Sequence, residues 1–500
     1  MNNYITLTYI GGGSKDWAHK NYADILTQDK LNGEIRLYDI DTAAAQRNKL
    51  YFEKLKKDNP EKVKSEWKCV VINNIDTALT GADFVVISIL PYSLKNMKVD
   101  VHHPEKYGIW QSVGDTVGPG GYSRALRTIP AYRFFASKIR ENCPDSWVIS
   151  YTNPMAMCVN TLYKEFPEIK AFGCCHEVFG VQWMLAAITG MYEKLTESGK
   201  AAFMNGDLKR VKQELKALGK KFSIWACEGI DRHEIKINVQ GINHFTWLNC
   251  ATYNGTDLMP IYSAFISLFR ENNKNRLGQL VPALVKRRRN CESVKFEMFE
   301  KFGKIAAAGD RHLAEFMPNV YLTTKHVLKD GFILTPVWGR IGNDKFLRIR
   351  TRIYLSPLVK AKFKNSGEEG VAQITALCGL GDLVTNVNLL NRGQAPSIIT
   401  DTAVETNAKF SENSLVPDNS GEMSPETAEL VNIHAKNQKD FIDVYFEKDK
   451  EKLREVFCRD PAVMRIGKDN GRRLFEEMIA ANASCLEGFL KSGGVYDRYC

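Results

Sequence analysis

ITLTYIGGGS, residues 5–14, decides how the rest of the chain is read. Six β-favouring residues run into three glycines, and an apolar-periodic stretch through Trp17, Tyr22, Ile25 and Leu26 follows. That is strand, glycine turn, helix. In such a unit Gly11 permits the tight turn and Gly13 lets a backbone approach a pyrophosphate, which then sits on the positive end of the helix. The third glycine of the usual dinucleotide fingerprint is absent, because Asp16 stands there. EIRLYD, Glu34–Asp39, reads as a second strand with an acid at its end, where a ribose hydroxyl is held, so Asp39 favours NAD over NADP. Its distance from Gly11 is somewhat long, which a loop at Thr27–Gly33 explains. Gly11, Gly12, Gly13, Ser14 and Asp39 are the candidate nucleotide contacts, and Asp41 is expected to cap a helix over Thr42–Lys57.

The alternation continues with a strand at Cys69–Ile72, a short helical piece near Asp76–Thr80 and a fully apolar strand at Phe84–Leu90. A strand with no polar face belongs to a parallel sheet covered on both sides. Pro91–Gly121 follows, long and without clear periodicity, and is expected to be a loop over a site. Arg124 and Arg127 open the next helix; at least one is expected to face the pocket, and periodicity does not separate them. Trp147–Tyr151 is another strand, stopped by Thr152-Asn153-Pro154, because Pro154 has no amide hydrogen for the ladder. Asn153 then stands either at a strand end where ligands bind or in a plain Asx turn.

AFGCCHEVFG, residues 171–180, packs two cysteines, a histidine and a glutamate between apolar runs. A thiolate and an imidazole are metal ligands, and a strand-to-helix turn presents them at the mouth of a sheet; buried structural cysteines beside a surface histidine are the plainer reading. Three strand ends, at Gly11–Ser14, Asn153 and Cys175–Glu177, converge on one edge. Beyond residue 190 the pattern changes to a charged helical segment at Glu193–Lys221 and antiparallel strands over Phe222–Tyr253. Within these, Asn243-His244 is polar inside an apolar strand, by default a satisfied core histidine. Helices are expected at Pro260–Phe269, Gln279–Phe302, Val371–Leu377, Pro425–Glu447 and Gly471–Leu490, and a hairpin at Val337–Tyr354.

Five hundred residues at 44% hydrophobic and 25% charged fit a globular chain of two packed domains, 1–195 for the nucleotide and 196–500 mixed α/β for substrate and metal. There is no run of eighteen apolar residues and no signal-like N-terminus, so neither a membrane partner nor export is expected, and the compartment expected is the cytoplasm. Twelve scattered cysteines read there as free thiols. The charge of +10 suits an anionic small substrate. Lys286-Arg287-Arg288-Arg289 has no nucleic-acid-binding motif beside it and is read as a solvated helix face, so no nucleic acid is expected.

Taken together, IGGGS (Ile10–Ser14), LYDID (Leu37–Asp41), GPGG (Gly118–Gly121), TNP (Thr152–Pro154), the Cys-His block, GINHF (Gly241–Phe245) and NLLNRGQAP (Asn388–Pro396) resemble glycoside hydrolase family 4, and Cys175-His176-Glu177-Val178 is similar to the block of its α-galacturonidases. The resemblance implies a Rossmann-type doubly wound parallel sheet, like that of lactate and malate dehydrogenases, packed on a mixed α+β C-terminal domain. It also implies a uronic-acid glycoside as substrate, a homodimer or higher homo-oligomer, and NAD and Mn²⁺ or another divalent transition metal as cofactors. The chemistry it implies is a redox-assisted elimination outside the two-carboxylate scheme: C3 oxidation, loss of the C2 proton, departure of the C1 oxygen, water addition and return of the hydride. Cys175 and His244 match the metal ligands, and Asn153 an asparagine at the sugar hydroxyls beside the nicotinamide. His176 stands where phospho-sugar members carry a proposed acid. Some members use a tyrosine as base after GINHF; here AAAGDRHLAEF has none, and Asp310 is the expected base with His312 its rival. Glu177 is read as orienting His176 or pairing with an arginine. For the substrate carboxylate Arg311 comes first, with Arg124 and Arg127 behind it. The alternatives are an α-galactosidase or α-glucosidase of the same family, or a 2-hydroxy-acid dehydrogenase.

Overall fold

The computed structural model describes residues 4–14, 17–223, 229–277, 292–329, 332, 334 and 336–486. Lys286–Arg289 and the start of the helix expected over Gln279–Phe302 lie outside them.

β1 (Tyr4–Ile10), β2 (Asn32–Tyr38), β3 (Trp67–Val71), β4 (Phe84–Ile87), β5 (Trp147–Ser150) and β6 (Lys170–Gly173) form a parallel sheet in the order β6-β5-β4-β1-β2-β3. β4 shows why both faces had to be covered. All four of its residues are buried, Phe84 and Val86 in one apolar cluster and Val85 and Ile87 in another on the opposite face. Asp41 caps the Thr42–Asp58 helix, its carboxylate accepting from the Ala44 amide at 2.9 Å.

The second sheet is antiparallel: β7 (Lys236–Ile242), β8 (Phe245–Tyr253), β9 (Thr256–Asp257) and β10 (Ile305–Ala306). Ile242 pairs directly with Phe245, so Asn243-His244 is not the interior of a strand, as the apolar surroundings suggested, but a two-residue turn. The turn is buried, at 0% and 3% exposure, and His244 sits at φ +66°. A non-glycine residue at positive φ is uncommon, and such backbone concentrates at working sites.

The chain then returns to the first sheet. β11 (Leu383–Leu390), β12 (Ala403–Ser411) and β13 (Ser414–Pro417) add three antiparallel strands beyond β6, so the sheet draws strands from both sides of residue 195.

Two further expectations are corrected. Pro91–Gly121 is not one loop: Ser93 and Asn96 form a capping box that starts a helix at Leu94–His102. Val337–Tyr354 is not a hairpin but a helix, Val337–Leu355. Apolar residues lie on both of its sides, Val337 and Leu347 inward, Trp338, Phe346, Ile349 and Ile353 outward, and this blurs the helical period. No helix among the described residues is long and apolar enough to cross a membrane.

Candidate active site

A cleft of about 590 Å³ runs along the C-terminal ends of β1, β4 and β5. Ligands bind at this edge of an open α/β sheet. At one end it is lined by Gly11, Gly13, Ser14 and Asp39, at the other by Asp115, Arg124, Asn153 and Arg340.

The first end is built of backbone. Gly11, at φ +92°, places its α-hydrogens where a Cβ would stand 2.1 Å from the Ser88 carbonyl oxygen. At Gly13 a Cβ would meet Asp39 Oδ2 and Ala44 Cβ, both at 2.8 Å. Asp39 accepts from the Gly13 amide at 2.8 Å and from the Asp41 amide at 2.8 Å, and burial raises its pKa. Asn48 Nδ2 donates to the carbonyls of Gly12 and Ser14, both at 2.7 Å, pinning the turn. Bare backbone beside a buried acid fits a dinucleotide pyrophosphate and ribose.

The other end is built of side chains. Ligand atoms of Asp115, His244 and His312 lie within 4.8 Å of one another, and the two imidazole rings are 3.8 Å apart at their centroids. Thr116 Oγ1 bridges two of them, 2.9 Å from Asp115 Oδ1 and 2.7 Å from His244 Nδ1. A hydroxyl has one proton; donating it to Asp115 means accepting from His244 Nδ1–H, which leaves the Nε2 lone pair for a metal. Burial, with the neighbouring charge of His312, lowers His244 to about 3, so it stays neutral as a ligand must. Burial alone would push Asp115 up, but Arg124, His312, His244 and Arg340 hold it well below the usual carboxylate range. Imidazole and carboxylate donors fit a divalent transition metal.

Cys175 is not in this trio. Its thiol faces the Asn243 side chain and the Glu177 amide, and burial together with Glu405 and Glu177 raises its pKa. Metal binding there requires loss of that proton. Behind it, Glu405 accepts from Asn386 at 2.6 Å and from Asn243 at 3.3 Å, and burial pushes it to about 7.

Among the described residues Glu177 makes no hydrogen bond or ion pair with His176, whose charge still acts on it. It accepts from the Gly309 amide at 2.7 Å and faces His312 Nε2 at 3.9 Å, and burial is overridden by the two nearby histidines, which lower it to about 2. His176 instead faces Glu368 at 3.6 Å and is about half exposed. Asn153 Nδ2 donates to Asp115 at 3.4 Å, and its Oδ1 is buried with no hydrogen-bond partner, an acceptor that fits a sugar hydroxyl or a nicotinamide amide.

Two expected site residues have partners elsewhere. Asp310 accepts from the Val294 and Lys295 amides at 3.0 and 3.1 Å, turned towards the start of the Ser293–Phe302 helix, whose first amides lack intrahelical partners. Arg127 is locked to Asp100 through both terminal guanidinium nitrogens, the two side chains 2% and 1% exposed. Arg124 faces Asp115 at 3.8 Å and Arg311 donates to the Ser112 carbonyl at 3.3 Å. Sequence reading missed Asp115, Thr116 and Arg340; for Asp115 the signal was an acid inside the glycine-rich run GDTVGPGG.

Residues 6–191 match the model of family 4 glycosyl hydrolases, and residues 239–463 that of the family 4 C-terminal domain. The chain belongs to glycosyl hydrolase family 4. This family 4 enzyme is 43% identical to a protein of Thermoanaerobacter italicus named alpha-galacturonidase, over 97% of this chain and 98% of that one. A solved Bacillus subtilis structure described as a glucosidase matches with a TM-score of 0.80 at 39% identity, covering 95% and 99% of the two chains. A 6-phospho-alpha-glucosidase from gut microorganisms, solved with NAD and Mn²⁺, shares the fold at a TM-score of 0.72 and 17% identity, over 96% of this chain and 99% of that one.

Proposed function

We propose that the chain is an α-galacturonidase that uses NAD⁺ and a divalent metal, Mn²⁺ first. The observation that carries this reading is the 43% identity, over almost the whole of both chains, to a relative named alpha-galacturonidase. Gly11–Ser14 and Asp39 hold the dinucleotide, with Asn153 at its nicotinamide end; His244 holds the metal with Cys175 and Asp115. When bound, the two groups supply a reversible hydride acceptor and a Lewis acid for the sugar oxygens.

The chain's own part is to place the sugar and move protons. His312 takes the C2 proton in place of Asp310, its ring set by Glu177, which in turn is tied to the Gly309 amide. His176, exposed at the start of the Glu177–Glu193 helix and facing Glu368, gives a proton to the departing oxygen. Arg124 and Arg311 add positive potential at the sugar end. Residues 1–195 do the nucleotide work and 196–500 most of the substrate and metal work, in a cytoplasmic homodimer or larger assembly.

The test is hydrolysis of 4-nitrophenyl α-galacturonide with and without NAD⁺, Mn²⁺ and a reductant, run in D₂O. Turnover should need all three, and deuterium should appear at C2 of the released sugar. Full activity after chelation and cofactor removal, or no deuterium at C2, would refute the reading.

A further inference from the structure

We infer that Arg340 is the residue that meets the substrate's C6 carboxylate and sets the preference for uronides over neutral sugars. The inference rests on the reading of the chain as an α-galacturonidase. Taking a carboxylate out of water unpaired is prohibitive, so the sugar end must offer a cation whose charge is not already committed.

Four arginines of the described residues lie in this region, and three already have a partner. Arg127 is held by Asp100, Arg124 faces Asp115, and Arg311 donates to Ser112 O. Arg340 differs. It lines the cleft and, although the Nε of all four is buried without a partner, it alone of the four makes no side-chain hydrogen bond or ion pair among the described residues. Asp344, one turn along the same helix and also at the cleft, is spoken for by Arg348 at 3.0 Å.

Its place is fixed by the cleft lining and by its helix. Arg340 lines the cleft together with Asp115, Arg124 and Asn153, and its charge reaches Asp115, Arg124 and Arg311. The Val337–Leu355 helix that carries it is anchored by the Val337 amide, which donates to His102 Nε2 at 3.1 Å, and by Val337 and Ile341 packed against Met97 and Val101. A planar guanidinium on a fixed helix can take both oxygens of a carboxylate at once; a neutral C6 hydroxymethyl gives it one weak partner.

The experiment compares the holoenzyme with its Arg340→Ala and Arg340→Lys variants on 4-nitrophenyl α-galacturonide and 4-nitrophenyl α-galactoside. Competition by free galacturonate and by galactose, and NAD⁺ affinity, are measured alongside, with thermal melting to verify folding. For Arg340→Ala, kcat/KM on the galacturonide should fall roughly ten- to hundredfold, the loss of one charge-assisted bidentate contact, and mainly through KM. The galactoside rate should fall far less than the galacturonide rate and NAD⁺ affinity should not change, galacturonate should lose its advantage over galactose as a competitor, and Arg340→Lys should recover part of the loss. Equal loss on both substrates, an unchanged preference, or weakened NAD⁺ binding with preference intact overturns the inference while the α-galacturonidase reading stands. If the unmodified enzyme itself does not prefer the galacturonide, that reading fails and the inference with it.

Discussion

The two ends of the cleft solve opposite problems. At the nucleotide end, contiguous backbone does the work: Gly11–Ser14 follow one another in the chain, and a single strand away Asp39 accepts from the Gly13 and Asp41 amides. At the sugar end no two working groups share a strand. Asp115 comes from the segment before the Gly118–Asn142 helix, Asn153 from the end of β5, Glu177 from a helix N-terminus, His244 from the β7–β8 turn, His312 from the Asp310–Phe316 helix and Arg340 from another helix. A backbone cradle tolerates distance changes because its contacts are local. A convergent set of side chains depends on every element that carries one, so damage there should be deeper and more specific.

That contrast predicts a graded series. The largest effect is expected from His244→Ala, which removes a lone pair no neighbour replaces: turnover should fall roughly a thousandfold, the several kcal/mol of a lost Lewis acid. NAD⁺ affinity, measured by calorimetry, should stay as it was. Equal weakening of NAD⁺ would mean that the two ends are one cooperative unit.

Next come the two rival bases. His312→Gln should slow C2 deuterium exchange by about a hundredfold or more, the size of a lost general base. Asp310→Asn should leave exchange within severalfold of the parent and instead lower stability by about 1 kcal/mol, because it weakens the cap on the Ser293–Phe302 helix. Mass spectrometry of product formed in D₂O, beside denaturant melts, separates the two outcomes, and the reverse pattern would return the base to Asp310.

At the nucleotide end, Gly13→Ala drives a methyl group to 2.8 Å from Asp39 Oδ2 and Ala44 Cβ, so the loop must shift. NAD⁺ affinity should fall by roughly tenfold, about 1.4 kcal/mol, with metal affinity untouched. A loss of metal affinity as well would erase the distinction between the ends.

The one effect read in stability and not in turnover or affinity concerns buried charge, which the sugar end carries in quantity. Glu405 is pushed up to about 7 from an ordinary value near 4.5, so its contribution to stability is present below about 4.5 and is lost as pH rises through 7. Glu405→Gln removes this dependence. In metal-free protein, the melting temperature of the variant relative to the parent should rise between pH 5 and pH 8, by the equivalent of roughly 1–3 kcal/mol. A constant difference across that range would mean that Glu405 is already ionised in the fold.

How much of this was legible in the sequence follows the same division. The glycine turn, the acid ending β2, the cap at Asp41 and the doubly covered strand β4 are local: each is written in residues adjacent in the chain, and neighbouring φ/ψ preferences and apolar periodicity carry the information. Periodicity failed where apolar residues lie on both sides of an element, as at Val337–Leu355, and where a turn is buried, as at Asn243-His244, because burial there hides the polarity change that marks a turn. The sequence therefore determined by itself that the chain carries a nucleotide-type α/β sheet and which residue types stand ready for metal and proton chemistry. Tertiary structure alone decided that Asp115 joins His244 and His312, that Asp310 is spent on a helix end and Arg127 on Asp100, and that Arg340 reaches the cleft with its charge uncommitted. The reason is physical: a side chain's role depends on which partners neutralise it, and those partners lie beyond the reach of local sequence, 16 residues away for Asp310 and Val294 and 27 for Arg127 and Asp100.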